Sequence, residues 1–307
     1  MPIDPRMLYS VVRITSHGDL LGTGSIITVP SETIPRKRWP YVVTADHVVA
    51  GYEGIELEIP DLRNNGKPFP AIPAEPFVQP LEGIDLAISH FAMDKVPRWH
   101  ETRIEHFVPE GHVAPLGGEI YYMGIFAGAD VPMARSGTLG SLDIPHTKVN
   151  NGRSYSYSAD LVDCRSYEGF SGSPCFSVMN YAAVDMPAHV PVEFAPVRAD
   201  GSQPKLVPIA IVASFCGVFV AHYDDPPSGR DVESKYGVGV MLPCDYVRDA
   251  LMTDRVVADR MKVAAEWKRR KAAEGPQPYD VGVTAEDDSE WDNFEALTKK
   301  LVAPKPR

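Results

Sequence analysis

Cysteine is scarce. The chain has 4 in 307 residues, Cys164, Cys175, Cys216 and Cys244, and none stands in the close pairs that zinc sites and redox motifs use. Buried free thiols in a reducing compartment are therefore expected, not disulfides. Basic residues are also few: Lys and Arg number 30 against 41 Asp and Glu, a net charge of -11. Like charges repel over about a Debye length, which argues against nucleic acid or an anionic membrane surface as a partner. No apolar run reaches the roughly 20 residues that a membrane span needs; the longest, Leu206 to Val220, is interrupted by Ser214, Cys216 and Gly217. The opening MPIDPRMLYSVVRI lacks the apolar core and small-residue cleavage site of a secretory signal, so a soluble cytoplasmic protein is expected. No glycine-rich phosphate loop follows a strand, and the 9 histidines lack the i, i+4 pairing of helical zinc sites, so neither a cofactor nor a metal is expected.

Long stretches of helical periodicity are missing before Pro243 as well. In their place stand short apolar runs separated by Gly, Pro, Asn and Asp, the pattern of an all-β fold. The runs are Ser10 to Ser16, Gly22 to Val29, Tyr41 to Ala45, Gly54 to Pro60, Asp85 to Phe91, Glu119 to Phe126, Ser136 to Leu142, Ser154 to Val162, Pro208 to Phe215 and Tyr236 to Leu242. So many short strands at irregular spacing suit two barrels better than one sandwich. Pro-rich stretches at Lys67 to Pro80 and Met186 to Pro204 read as surface excursions, because proline cannot donate to a ladder. The turn-rich break from Trp99 to Pro115 sets the expected boundaries: one barrel over 1–112, a second over 113–252, and a helical tail over 253–307.

In the tail, CDYVRDALM reads as a short helix on the last strand. The next helix is expected to start at an N-cap Thr253, to share one face among Val257, Met261, Ala264 and Trp267, to carry Lys268 to Lys271 where the dipole favours cations, and to stop at Gly275. The acidic EDDSEWDNFEALTKKL spaces Trp291, Phe294, Leu297 and Leu301 at helical intervals. It either docks on the protein's own surface or offers a helix to a regulatory partner.

Three segments carry reactive residues. In EGFSGSPCF, Ser171 lies between Gly169 and Gly172, ahead of Ser173 and Pro174. Glycines permit the tight turn that exposes a hydroxyl and aims backbone N–H groups at a developing oxyanion. In YVVTADHVV an apolar strand runs out into His47, whose imidazole suits proton transfer near neutrality; a packed core histidine is the plain alternative. Asp46 is set aside because neighbours on a strand face opposite ways. In GIDLAISHF, Asp85 stands at the mouth of an apolar strand, where a carboxylate needs a charged or donating neighbour; a turn aspartate is the alternative. The order His, Asp, Ser with these flanking patterns makes the joint reading far stronger than any one segment.

The strings GTGSIIT, VVTADHVV, DLAISHF, GFSGSP and YGVGVMLPCDYV, in that order over about residues 8 to 252, resemble the trypsin-like peptidases, nearest the bacterial HtrA-type branch. The resemblance implies two perpendicular six-stranded barrels with the site between them. It implies a serine endopeptidase acting on protein or peptide substrates, with Ser171 as nucleophile, His47 as base and Asp85 orienting it. The backbone N–H groups of Gly169 and Ser171 would form the oxyanion hole. By position Ser214, Phe215 and Gly217 would pair with substrate, and Arg165 would lie near the pocket base and favour an acidic residue before the scissile bond. Three departures stand out. Phe170 replaces the acidic residue of zymogen-type members, which speaks against activation by propeptide cleavage. Ser173 occupies a common glycine position, and the stretch after Met252 is too short for a PDZ domain. The competing readings are a catalytically silent barrel that binds peptides, an α/β hydrolase, whose serine, acid, histidine order is the reverse of this one, and a metal hydrolase.

Overall fold

The computed structural model describes residues 5–60, 68–91, 101–110, 114–126, 129, 131–165, 169–182, 209–222 and 237–274. In chain order the strands are β1 (Val11–Ser16), β2 (Asp19–Pro30), β3 (Arg38–Thr44), β4 (Ile55–Glu58), β5 (Ile72–Pro73), β6 (Ala87–His90), β7 (Thr102–Arg103), β8 (Glu119–Gly124), β9 (Met133–Asn150), β10 (Arg153–Asp163), β11 (Ser173–Ala182), β12 (Ile209–His222) and β13 (Val238–Pro243). Helix α1 (Asp46–Val49) follows β3, and α2 (Cys244–Met252) and α3 (Asp254–Glu274) close the described chain.

Strands β1 to β7 form one sheet in the order β5-β4-β1-β2-β3-β6, with β7 parallel to β2; strands β8 to β13 close into a barrel in the order β10-β13-β12-β11-β8-β9. The expected double-barrel architecture is borne out: among the described residues the second unit closes as a six-stranded barrel and the first forms a seven-stranded half-barrel. The first sheet ends at Arg103 and the second begins at Glu119. Between them the chain is stitched to the second barrel: the Val108 N–H donates to the Phe215 carbonyl at 2.9 Å, and the Phe107 and Phe215 rings stack at 4.4 Å. The cores are filled by the inward faces of the strands, Ile14, Ile26 and Val42 in the first unit and Tyr122, Phe176 and Phe219 in the second, all buried.

Every apolar run read as a strand overlaps one. The run expected over Ser136 to Leu142 is far longer, because β9 and β10 make an extended hairpin turning at Asn151 (φ 51°) and Gly152 (φ 75°). Two successive positive φ angles define the turn that matches strand twist, and Asn-Gly tolerates both. Strand β11 escapes sequence reading because it starts inside the Gly-x-Ser-Gly-x-Pro string.

Helix α2 packs on β12 and β13 as expected. The buried face of α3 is Val256, Arg260 and Ala264, with Val263 and Trp267 partly covered; the expected Met261 is 39% exposed. The face is rotated by one position because an arginine occupies its centre. Arg260 is 1% exposed, its Nε donating to Glu32 Oε1 at 2.7 Å and its Nη1 to the Leu251 carbonyl at 3.1 Å. The Lys37 ammonium sits between the Trp39 and Trp267 rings, 5.4 and 5.3 Å from their centroids. Helix α3 therefore straps the end of the second barrel to the β2–β3 turn of the first sheet. The Thr253 hydroxyl donates back to the Ala250 carbonyl at 3.0 Å instead of capping α3. The Met186 to Pro204 excursion and the acidic segment lie outside the described residues.

Candidate active site

Antiparallel pairing of β3 with β6 sets Thr44 opposite Ala87. Carrying that register two residues further brings Asp85 alongside the chain just past Thr44, where one turn of helix, α1, swings His47 over it. The His47 backbone N–H donates to Asp85 Oδ1 at 3.0 Å, and ring Nδ1 lies 2.8 Å from Oδ2 and 3.1 Å from Oδ1. An ionised carboxylate only accepts, so Nδ1 carries the proton and Nε2 is left as the basic nitrogen. Asp85 is fully buried. Burial pushes its carboxyl toward higher pKa, but the His47 ring hydrogen bond and charge, the His47 N–H and the Lys148 ammonium outweigh this and hold it below the usual carboxylate range.

Asp46 turns away from His47, though not by strand alternation: it sits in a helical turn and faces the other unit. Its Oδ2 accepts from Arg153 Nη1 at 2.7 Å and from the Tyr155 hydroxyl at 2.9 Å. With the Ser156 N–H donating to the Gly83 carbonyl at 2.8 Å, these contacts lay the β9–β10 hairpin across the His47–Asp85 pair.

The loop that carries Ser171 turns on two glycines in the left-handed region, Gly169 (φ 98°) and Gly172 (φ 88°). A β-carbon on Gly172 would come within 1.9 Å of the Thr23 carbonyl oxygen, so glycine is required there. The Gly172 N–H donates to the Phe219 carbonyl at 2.7 Å, and the Ser173 N–H to the Phe170 carbonyl at 3.0 Å. The loop is anchored to the first sheet through β2. The Thr23 N–H donates to the Ser171 carbonyl at 2.9 Å, and the Thr23 hydroxyl donates to the Gly169 carbonyl at 2.8 Å and accepts from the Ile125 N–H at 3.0 Å. A β-carbon on Gly22 would lie 2.9 Å from both the Ser171 carbonyl oxygen and Val48, so the serine backbone stands against the residue next to His47.

All three triad candidates are thus gathered where the two units meet. Among the described residues the Ser171 hydroxyl makes no hydrogen bond, to His47 or elsewhere, and the N–H groups of Gly169 and Ser171 are likewise uncommitted. Such contacts often close only around substrate.

The expected substrate strand needs correction. Ser214, Phe215 and Gly217 pair with Ser177, Phe176 and Cys175, well along β12 from the nucleophile, and the Phe215 ring is fully buried between Phe107 and Phe176. Phe219 is the residue opposite Ser173, so the stretch of β12 beside the Ser171 loop is Phe219 to His222. Counting along the sequence misjudged the register because β12 runs on past Phe215. Arg165 is exposed, its carbonyl accepting from the Tyr122 hydroxyl. It borders a groove of about 530 Å³ together with Glu119 and Asp163, which oppose its charge, and no triad candidate lines that groove. Thr23 went unnoticed in the sequence; its one signal was a polar residue between two glycines inside an apolar strand.

No protein-family model matches the chain, and no curated protein matches it in sequence. Solved structures do. The MamO protease domain of Magnetospirillum magneticum, in its apo form, is 17% identical, with 81% of this chain and 98% of that one covered at a TM-score of 0.51. The active form of the Rv3671c protease of M. tuberculosis is 18% identical over 80% of this chain and 81% of that one (TM-score 0.49), and a serine endoprotease of Yersinia pestis 14% identical over 83% and 65% (TM-score 0.45). The chain has the fold of the trypsin-like serine proteases.

Proposed function

We propose that this chain is a serine endopeptidase that cleaves protein or peptide substrates through His47, Asp85 and Ser171. The observation that carries the reading is the bidentate clasp of Asp85 on His47, which leaves Nε2 as the basic nitrogen, with the Ser171 backbone anchored beside Val48, the residue next to His47. A packed core histidine would have no need of a buried carboxylate and a serine loop anchored beside it. In the proposed reaction Ser171 Oγ attacks the substrate carbonyl while His47 Nε2 takes its proton. The tetrahedral intermediate collapses to an acyl-enzyme as that proton passes to the leaving amine; water then attacks as His47 takes its proton, and the acid leaves as that proton returns to Ser171 Oγ. Asp85 holds the imidazole and stabilises its charged form. The uncommitted N–H groups of Gly169 and Ser171 meet the oxyanion.

The competing reading is a barrel that binds peptides without cutting them. A fluorophosphonate probe discriminates: labelling of the native chain that disappears in Ser171→Ala supports the peptidase, and a native chain that stays unlabelled at every pH from 5 to 10 removes it. The proposal extends to a reducing, cytoplasmic setting, since the four cysteines are free and buried; recovery of the native protein from an oxidising compartment would overturn that part. Binding of a regulatory partner through the acidic segment beyond Glu274 belongs to the proposal too, and a pull-down lost on deleting 286–301 tests it.

A further inference from the structure

Lys148 of the β9–β10 hairpin belongs to the second barrel, yet its ammonium reaches the fully buried carboxylate of the first unit, 3.7 Å from Asp85 Oδ2. That oxygen is the same one that faces His47 Nδ1 at 2.8 Å. The lysine side chain is 22% exposed, so its charge is only partly screened by water. The Tyr155 partner in the ladder directly opposite Lys148 is held by Asp46, and the Ser156 N–H by the Gly83 carbonyl, two residues before Asp85. The hairpin is thus fastened on both sides of the point where the lysine enters.

We infer that Lys148 is a positioning residue that sets the basicity of His47 from the opposite barrel, by cancelling part of the Asp85 charge. This rests on the peptidase reading for its consequence but not for its physics. An unopposed buried carboxylate favours the charged form of the imidazole it faces. A cation on the oxygen that faces Nδ1 weakens that preference and keeps Nε2 free. The other charged and titratable groups around the pair are accounted for. Asp46 is neutralised by Arg153, with Arg255 bordering the same cavity behind α1. Burial pushes the Tyr155 and Tyr157 phenols well above their ordinary range and keeps them neutral, and burial together with Lys148 favours neutral His146 despite the opposing pull of Asp85. Among the described residues, Lys148 is therefore the cation whose geometry ties it to Asp85 alongside the His47 ring. Because it arrives on the hairpin, the base is tuned only when the two units are docked.

The test is an NMR titration of the His47 ring in the full chain, with the resonance assigned by its loss in His47→Gln. Lys148→Met is expected to raise the His47 midpoint by about one pH unit, and Lys148→Arg to restore it to within about a third of that. The acid limb of fluorophosphonate labelling at Ser171 should move up by the same amount in Lys148→Met. An unmoved midpoint in folded Lys148→Met overturns the assignment. Should that variant fail to fold, Lys148→Gln takes its place, and failure of both assigns Lys148 to stability and overturns the inference equally. The two readings fail separately: a native chain that never labels removes the peptidase, whereas a labelled native chain with an unmoved midpoint removes only the role of Lys148.

Discussion

Replacing Thr23 by valine keeps the shape of the side chain and deletes its hydroxyl. Thr23 is fully buried, and that hydroxyl serves two main-chain groups of the second unit, the Gly169 carbonyl and the Ile125 N–H. No cavity is created, so the loss is electrostatic. Each buried group left without a partner costs about 1–3 kcal/mol, and partial relaxation puts the total near 2–4 kcal/mol, a sizeable part of a typical 5–15 kcal/mol fold. Thr23→Ser keeps both hydrogen bonds and gives up one methyl, about 1 kcal/mol. Urea unfolding of the three proteins measures both differences. The functional effect should exceed the loss of folded protein, because the Gly169 carbonyl, once released, is free to turn and carry its peptide out of the geometry the oxyanion needs. At full folding, fluorophosphonate labelling of Thr23→Val should be at least tenfold slower. A valine variant within about 0.5 kcal/mol of the native chain, or one less harmful than serine, refutes the account of this anchor.

Asp85→Asn should slow labelling of Ser171 by about a thousandfold or more, since the amide holds the wrong imidazole tautomer. In the native fold the Asp85 carboxyl is held below its ordinary value, so its contribution to stability is complete above about pH 4 and is lost as pH falls through the folded value; acid unfolding curves of the asparagine variant should lack that part of the slope. Arg260→Leu removes the guanidinium that ties α3 to Glu32, and hydrogen exchange over 254–274 should quicken at least tenfold while the barrel strands keep their protection. The Ser173 hydroxyl is buried and finds no partner among the described residues, pressed toward Gly124, whose missing β-carbon would come within 2.2 Å of it. Ser173→Ala should therefore stabilise the chain by about 0.5–1 kcal/mol in the same urea assay, and a loss of stability would mean that the hydroxyl is satisfied after all.

What could be read in the sequence follows from the range of the forces involved. Strands β1 to β4 announce themselves because burial on one or both faces writes an apolar run into a few adjacent residues. The segments around His47, Asp85 and Ser171 stand out for a related reason: each has a local backbone, a strand end or a glycine turn, that leaves its own trace. Register is another matter. Ser214, Phe215 and Gly217 were placed beside the substrate by counting, but the pairing of β11 with β12 slides the relevant stretch to Phe219. Pairing energy depends on a partner strand that a linear string does not display. Asp46 shows the same limit, since its partners lie more than a hundred residues away on β10.

The same limit explains why charged residues misled most. Sequence patterning assigns lysine and arginine to solvent, and on that rule the inward face of α3 runs through Val257 and Met261, whereas the structure buries Arg260 at its centre. Burying a guanidinium is costly alone and acceptable once Glu32 and the Leu251 carbonyl surround it, and those acceptors come from the β2–β3 turn and from the end of α2. Asp46 with Arg153, Asp85 with Lys148 and Glu32 with Arg260 share one feature: each joins a group of the first unit to a cation from beyond residue 119. Apolar surface holds each unit together, but directional charge pairs fix how the two meet. A site whose nucleophile and base lie on different units needs that second kind of contact, because a slide of one ångström leaves a hydrophobic interface nearly as stable and an acyl transfer far slower.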